Sequence, residues 1–470
     1  MDNLMNPCGK GLLIKIYLVT TILLAQMLYA KQEVKLVFFS MDQAITRALK
    51  YNNLVRAAEF EVKRANWQRK EAWTTLLPNV AFNTRFTWID DSTFALRDFS
   101  RYFQDPNLPF RIPQTVFQKA YFSSLDVYMP IYDAGLLNGI SIARLGETMA
   151  EHLNESTKRN IIFQVISGYL NVLKNQEILK LQKDYLELSR LNYEKAERLH
   201  NAGRYSKAEV LRWQVEYQQQ KSIMVNSESA LRSSRIILSR LLNLDKHEFI
   251  EIDPQIPRKL QSEGDKLEQF GDLQLIKMIQ VEDEVLIQAN AALSAAKSNE
   301  EISELQYNNS YNNYIPTLSL TYSYAWRENN TIVWDDYSPQ TLMINLNVPL
   351  FTGFRNYSNL KSSYYNYKKS QENFSDQLQN VRLLLTEAVN KIINLKTQKE
   401  LSKVNVTFTE HNYRVVEQQK EQGLVSNIDF IDAKLNLQRA MLDEISNRYD
   451  IISSMVELYY LLGKLDSILL

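Results

Sequence analysis

The 470-residue chain predicts a mainly α fold with a small β component, in which very long helices join four strands. Three observations predict it. No proline occurs between Pro130 and Pro254 or after Pro349, and proline costs about 3 kcal/mol inside a helix, so two long stretches are free to be helical. Segments 79–89 and 317–326 alternate apolar and polar residues, the period of a strand with one apolar and one polar face. Each follows a helical stretch at a proline, Pro78 or Pro316, so a helix–proline–strand unit occurs twice.

The N-terminus reads as an export signal over residues 1–30. Lys10 and Lys15 supply the positive region, the stretch from Ile16 to Leu28 is mostly apolar, and Ala30 offers a small residue at the cleavage edge. That run is short for a spanning helix. The only cysteine, Cys8, precedes it, so the mature chain would lack disulfides, thiol chemistry and cysteine metal sites. Charge is balanced, with no basic stripe of the kind nucleic acid requires.

The first repeat covers residues 31–245. A helix over 41–77 opens it, with Ser40 in the cap position. After strand 79–89 comes a polar, aromatic loop over 90–118 that holds Pro106, Pro109 and Pro113. A return strand carries Leu125, Val127, Met129 and Ile131 and ends at Pro130. One long helix follows over 134–201, where Val165, Val172, Leu179, Leu186 and Tyr193 keep the seven-residue spacing of a coiled-coil seam. A turn at Gly203 leads to a helix over 206–242.

Residues 246–271, with Pro254, Pro257 and Gly264, read as a linker, and the programme repeats over 272–470. A helix spans 272–311 and the strand 317–326. A return strand carries Leu342, Ile344, Leu346, Val348 and Leu350 and ends at Pro349. A helix over 355–422, a turn at Gly423 and a helix ending near 462 complete it. Met129-Pro130-Ile131-Tyr132 pairs with Val348-Pro349-Leu350-Phe351, and Gly203, Ser206 and Glu209 pair with Gly423, Ser426 and Asp429.

The strands set the assembly. Polar-in, apolar-out strands of about ten residues fit a transmembrane barrel wall, although alternation alone fits a soluble sandwich as well. Trp88 and Trp326, near the far strand ends, suit an interfacial aromatic girdle. Four strands cannot close a barrel, for which about eight is the minimum. Three chains supply about twelve, so a homotrimer is the smallest assembly with an open pore. A helix of about 67 residues makes a rod of roughly 100 Å. Helix pattern alone fits a coiled-coil spacer equally.

In the order and duplication of these elements the chain resembles the TolC family of outer-membrane efflux and secretion channels. The resemblance rests on the repeated proline–strand unit, the return strands at Pro130 and Pro349, and the turns Gly203-x-x-Ser206 and Gly423-x-x-Ser426. It implies a trimeric twelve-stranded β-barrel in the outer membrane of a Gram-negative bacterium, continued by an α-helical coiled-coil tunnel in the periplasm. It implies partners too: a periplasmic adaptor (membrane fusion) protein docking at the helix tips around Gly203, Ser206, Gly423 and Ser426, and an inner-membrane pump. The segment from Gly423 to Asp432 resembles the family's inner entrance helix, which implies an acidic entrance ring of Asp429 and Asp432. The spacing itself shows only a shared helix face, which a solvated surface near a turn would also give. The first repeat departs from this pattern with Glu209 and Arg212, and Val425 stands where the family often has a basic residue bracing the gate.

The expected function is passive conduction through the outer-membrane component of a tripartite efflux pump or type I secretion system. The alternative is a periplasmic coiled-coil adaptor or scaffold without a pore, although no small, turn-rich β domains flank the helices. Catalysis is not expected. His152, His200, His247 and His411 are scattered without ligand spacing, and no nucleotide loop, nucleophile elbow or zinc motif occurs, so neither cofactor nor metal is expected.

Overall fold

The computed structural model describes residues 35–98, 117–245, 248–328 and 339–468. The export signal, Cys8, His247 and the three prolines of the 90–118 loop lie outside the described residues. The described part of the chain falls into two compact units that interleave in sequence. One draws on Met1–Arg56, Thr157–Val281 and Leu383–Leu470, the other on Ala57–Ser156 and Glu282–Arg382.

The second unit holds the four expected strands: β2 (Asn79–Trp88), β3 (Lys119–Tyr132), β5 (Thr317–Glu328) and β6 (Gln340–Asn347). They form one antiparallel sheet in the order β2-β3-β5-β6. Register brings the apolar positions together, Val80 opposite Val127, Val127 opposite Tyr322 and Tyr322 opposite Leu342. On this face the hydroxyls of Thr84 and Ser123 pair with each other at 3.1 Å, which removes two polar groups an apolar surface would penalise. The opposite face carries Asn83, Ser124, Asp126, Ser323 and Asn345. Asp126 accepts hydrogen bonds from Asn83 Nδ2 (2.7 Å), Ser124 Oγ (2.7 Å) and Ser323 Oγ (2.5 Å), so one carboxylate braces three strands. β3 runs through Pro130 to Tyr132 instead of ending at the proline. A bulge between Pro130 and Tyr132 absorbs the missing N–H, the usual place for proline inside a sheet.

The first unit is built on helices. Of the long helices, α5 (Lys207–Leu241) and α11 (Asn427–Leu461) lie wholly in it, while α4 (Ala134–Asn201) and α10 (Arg355–Glu421) begin in the second unit and end in the first. Their ends agree with the sequence reading to within a residue, because caps and glycine turns are local signals. Val165, Val172 and Leu179 of the predicted seam are buried, whereas Leu186 and Tyr193 are half-buried. Further along α4 the buried line has moved to Gln182, Tyr185, Ser189 and Ala196. Gln182, Ser189 and Ala196 are again seven apart, so the seam keeps its spacing and steps to a position three residues on from Leu179.

Two predicted helices are interrupted. The 41–77 stretch is α1 (Met41–Tyr51) and α2 (Asn53–Thr74), separated by the extended, buried Asn52. Asn52 Nδ2 donates to the Leu241 carbonyl at 2.9 Å while its Oδ1 accepts from the Leu54 N–H at 2.9 Å. The side chain thus binds a carbonyl at the end of α5 and caps the next helix at once, a gain that outweighs the lost helical bonds. The 272–311 stretch is α7 (Asp272–Ile279), α8 (Asp283–Ala289) and α9 (Ala291–Ser310), and Asn290 caps α9 by accepting from the N–H groups of Ala292 and Leu293.

The expected linker contains structure: strand β4 (Glu248–Ile252) and helix α6 (Arg258–Gln269). β4 pairs in parallel with β1 (Lys35–Phe39), Phe39 lying opposite Ile252. Gly264 lies inside α6, where a Cβ would meet Ile452 at 3.8 Å. Within the 90–118 loop, Asp90 caps a short helix α3 (Asp91–Arg97).

Candidate functional site

The two turns between paired long helices share one construction. Gly203 and Gly423 take φ of 76° and 73°, a conformation that suits glycine because it has no Cβ. The Gly203 N–H donates to the His200 carbonyl and Arg204 N–H to Leu199, and Gly423 and Leu424 donate likewise to Lys420 and Gln419. Each turn ends in a serine cap. Ser206 with Glu209 starts α5, and Ser426 with Asp429 starts α11, both as reciprocal capping boxes. Asn427 Nδ2 donates to Glu209 Oε1 at 3.1 Å, which sets the two turns side by side.

The predicted acidic pair is split by its local bonding. Asp429 accepts from Ser426 Oγ at 2.7 Å and from the Ser426 N–H at 3.2 Å, so its carboxylate is held as part of the cap. Asp432 lies one turn on, and both residues are exposed on the same stretch of α11. Glu209 of the first repeat is half-buried and committed to Ser206 and Asn427, whereas Arg212 is exposed. Asp429 and Asp432 therefore present charge to solvent where their first-repeat counterpart Glu209 bridges the turns.

Beneath the exposed acids lies a cluster that sequence reading missed. Ala196, Trp213 and Phe430 are buried, with Tyr193, Tyr205, Tyr413, Val416 and Ile431 packed around them. The Lys420 ammonium sits 4.1 Å from the centroid of Trp213 and 3.9 Å from that of Phe430. Burial pushes this ammonium down to about 8, helped by Lys195 and Lys434 and opposed by Glu417. The available signal was a lysine in the last helical turn before Gly423, which alone reads as an ordinary dipole cation.

Further from the turns come two polar layers. Lys434 of α11 is fully buried, donating to Glu216 Oε1 of α5 at 2.5 Å and to Ser189 Oγ of α4 at 2.7 Å. Burial pushes Lys434 below the usual lysine range and Glu216 pulls it back. One turn on, Gln438 Nε2 donates to Gln182 Oε1 at 2.6 Å and to Gln220 Oε1 at 3.0 Å.

In the sheet, Trp88 and Trp326 share the apolar face but not a register row. Trp88 lies opposite Lys119, while Trp326 shares its row with Ser123 and Thr84. Trp326 meets the Tyr324 ring edge-on, centroids 4.6 Å apart. Among the described residues no helix is long and apolar enough to cross a membrane, and no three His, Cys, Asp or Glu side chains are grouped to hold a metal.

The model of the family described as "Outer membrane efflux protein" matches residues 44–244 and 284–464, one block in each repeat. The chain belongs to this family. Its TolC resemblance, its α-rich fold with a small sheet and its place in the outer membrane all stand on that match. The Pseudomonas putida toluene efflux pump outer membrane protein TtgC is 24% identical over 342 residues, which is 67% of this chain and 62% of TtgC. The chain thus aligns with less than two thirds of that relative's length. Outer membrane protein TolC of Salmonella enteritidis is 18% identical over 361 residues, covering 73% of this chain and 69% of TolC. The fold is similar to that of the Campylobacter jejuni CmeC outer membrane channel, with a TM-score of 0.75 at 13% identity over 90% of this chain and 86% of CmeC.

Proposed function

We propose that this family member is the outer-membrane channel of a multi-component efflux or type I secretion assembly, conducting substrate passively from periplasm to exterior. The observation that carries this reading is the two-faced sheet whose outer strands, β2 and β6, end it as edges. An open edge is not tolerated in lipid, and four strands cannot close on themselves. Three copies pairing β6 of one with β2 of the next close twelve strands around a water-filled lumen lined by Asn83, Asp126 and Ser323. No chemistry is assigned to the chain; an inner-membrane pump supplies the energy.

On this reading Asp429 and Asp432 ring the periplasmic entrance, and the turns at Gly203, Ser206, Gly423 and Ser426 meet a periplasmic adaptor. Trp88 and Trp326 belong to the outer aromatic girdle. Residues 31–245 and 272–470 act as two copies of one hairpin-and-strand unit joined through 246–271. The support for Asp432 is its exposure one turn beyond a carboxylate already committed to a cap.

The test is single-channel recording of the purified protein in planar bilayers, comparing wild type with Asp432→Asn and with the Asp429→Asn/Asp432→Asn pair. The expected result is a cation-selective conductance that loses selectivity with Asp432→Asn and more so with the pair. Conductance indifferent to both changes would remove the acidic ring. Folded protein that neither inserts nor conducts would remove the channel.

A further inference from the structure

The last turns of α5 and α11 are copies of one sequence that meet different surroundings. At one constant offset, Ser233-Ser234 and Leu241-Leu242 of the first repeat return as Ser453-Ser454 and Leu461-Leu462. The chain leaves both helices alike, Asn243 and Gly463 having φ of 49° and 70°. Between these shared positions Arg232, Arg235 and Arg240 stand where α11 carries Ile452, Met455 and Tyr460. On α11 this face is closed. Ile452, Met455 and Val456 are buried, and α6 lies against it, where a Cβ on Gly264 would meet Ile452 at 3.8 Å.

On α5 the same face lines a cavity of about 630 Å³ between α4, α5 and β4. Small-molecule sites commonly enclose about 300–1,000 Å³. Leu179, Leu231 and Ile250, all buried, make its apolar wall. Arg235 is half-buried, and its Nε is shut off from solvent without a hydrogen-bond partner. A buried charged donor left unpaired is costly, so its presence calls for a group that meets it. Arg232 and Arg240 stand exposed beside it. Of the two carboxylates on the wall, Glu228 lies 3.9 Å from Lys183 Nζ and Asp245 is exposed, so guanidinium charge is in excess.

We propose that this cavity binds a small amphipathic anion, an organic carboxylate on one apolar chain. The carboxylate accepts from the Arg235 guanidinium, whose planar fork matches two oxygens and whose Nε has no other partner. The chain lies along Leu179, Leu231 and Ile250. A neutral hydrophobe leaves the Nε unpaired, and a small free anion leaves the apolar wall uncovered, so neither fits as well. Every residue of the site belongs to the first compact unit, and the site does not depend on the channel reading. A second copy of the chain lying over the cavity is the competing occupant.

Ser239 lines the cavity and is half-buried, so a cysteine there reports occupancy. Cys8 is the only native cysteine, and Cys8→Ser gives a clean background. Ser239→Cys protein in lipid nanodiscs is alkylated with a small maleimide, alone and with octanoate. The expected result is alkylation slowed several-fold by octanoate and unchanged by octanol, octylamine or acetate. Arg235→Met should raise the octanoate concentration needed for protection by about tenfold or more, without lowering the thermal midpoint. Equal protection by octanol makes the cavity a plain apolar hollow and overturns the anion assignment. Protection that Arg235→Met leaves intact overturns the role of the guanidinium. A cysteine that resists alkylation without ligand, yet reacts once the chain is unfolded in urea, puts a second copy over the cavity and overturns the site. Calorimetric titration of the unmodified protein with octanoate repeats the test without the cysteine. Saturable binding weakened about tenfold by Arg235→Met is expected, and the absence of any binding heat and of any protection overturns the proposal.

Discussion

The Lys420 ammonium lies 3.9 Å from the ring centroid of Phe430, joining the last turn of α10 to the first turn of α11 across the Gly423 turn. The Trp213 ring of α5 lies 4.1 Å from the same ammonium, so the two rings share it. The contact ties both turns into one unit, directly under the residues that bear the exposed acids.

This contact gives stability a pH dependence. Lys420 titrates near 8 in the folded chain and at an ordinary lysine value when unfolded. Between those values the unfolded chain binds the proton that the folded chain has released, so stability rises with pH across that window. Below about pH 8 the burial penalty is present in full. Because Lys420 is partly exposed, a gain of about 1 kcal/mol is expected. Urea unfolding from pH 7.5 to 10 should show it, and Lys420→Met should flatten the profile. A wild-type profile as flat as the variant's would sink this assignment.

Lys434 and Glu216 should behave as a buried pair. Lys434→Met leaves Glu216 with an uncompensated charge in the core, a loss of about 3–5 kcal/mol. Adding Glu216→Leu should recover most of that loss, because the stranded charge is gone. A double-mutant cycle in urea measures the coupling. Additive losses would mean that the two groups do not depend on each other.

Gly203→Ala and Gly423→Ala should each cost about 1–2 kcal/mol through the backbone alone. Both residues have positive φ, and an added Cβ would meet nothing within 4 Å, so no clash contributes. Gly423→Asn should cost less, since asparagine tolerates this region better. Thermal midpoints of the three variants test the order, and an alanine variant as stable as wild type would contradict it.

Asp126 offers a test inside the sheet. Asp126→Ala strands the donors of Asn83, Ser124 and Ser323 on three strands, at a cost of about 1–3 kcal/mol, reduced where water reaches them. Asp126→Asn keeps an acceptor and should fall between the two. Heat stability of the folded protein in detergent is the readout, and a neutral Asp126→Ala would show that the brace carries no weight.

Much of the fold was legible because its signals are local. The ends of α4, α5, α10 and α11 follow from glycine turns and from Ser206 and Ser426, whose capping partners stand three residues away. Strands β2, β3, β5 and β6 follow from alternation, and the duplication supports each reading with a second copy. Of the candidate site, the turns and the shared face of Asp429 and Asp432 could be read. The commitment of Asp429 to Ser426 is also implicit in the Ser-x-x-Asp spacing, but only the folded chain distinguishes it from Asp432.

The sequence by itself determined the class, the repeat and the membership of the outer membrane efflux protein family, because periodicity, proline placement and turn residues act over a few positions. Tertiary structure decided what depends on partners remote in the chain. Asn52 breaks a helix because the Leu241 carbonyl waits beside it. Residues 248–252 are a strand because residues 35–39 supply its edge. Lys420 is half-buried and Lys434 fully buried because Trp213, Phe430 and Glu216 reach them from other helices. Each of these outcomes balances a local cost against a contact made only in the folded chain, and no stretch of neighbouring residues encodes that balance.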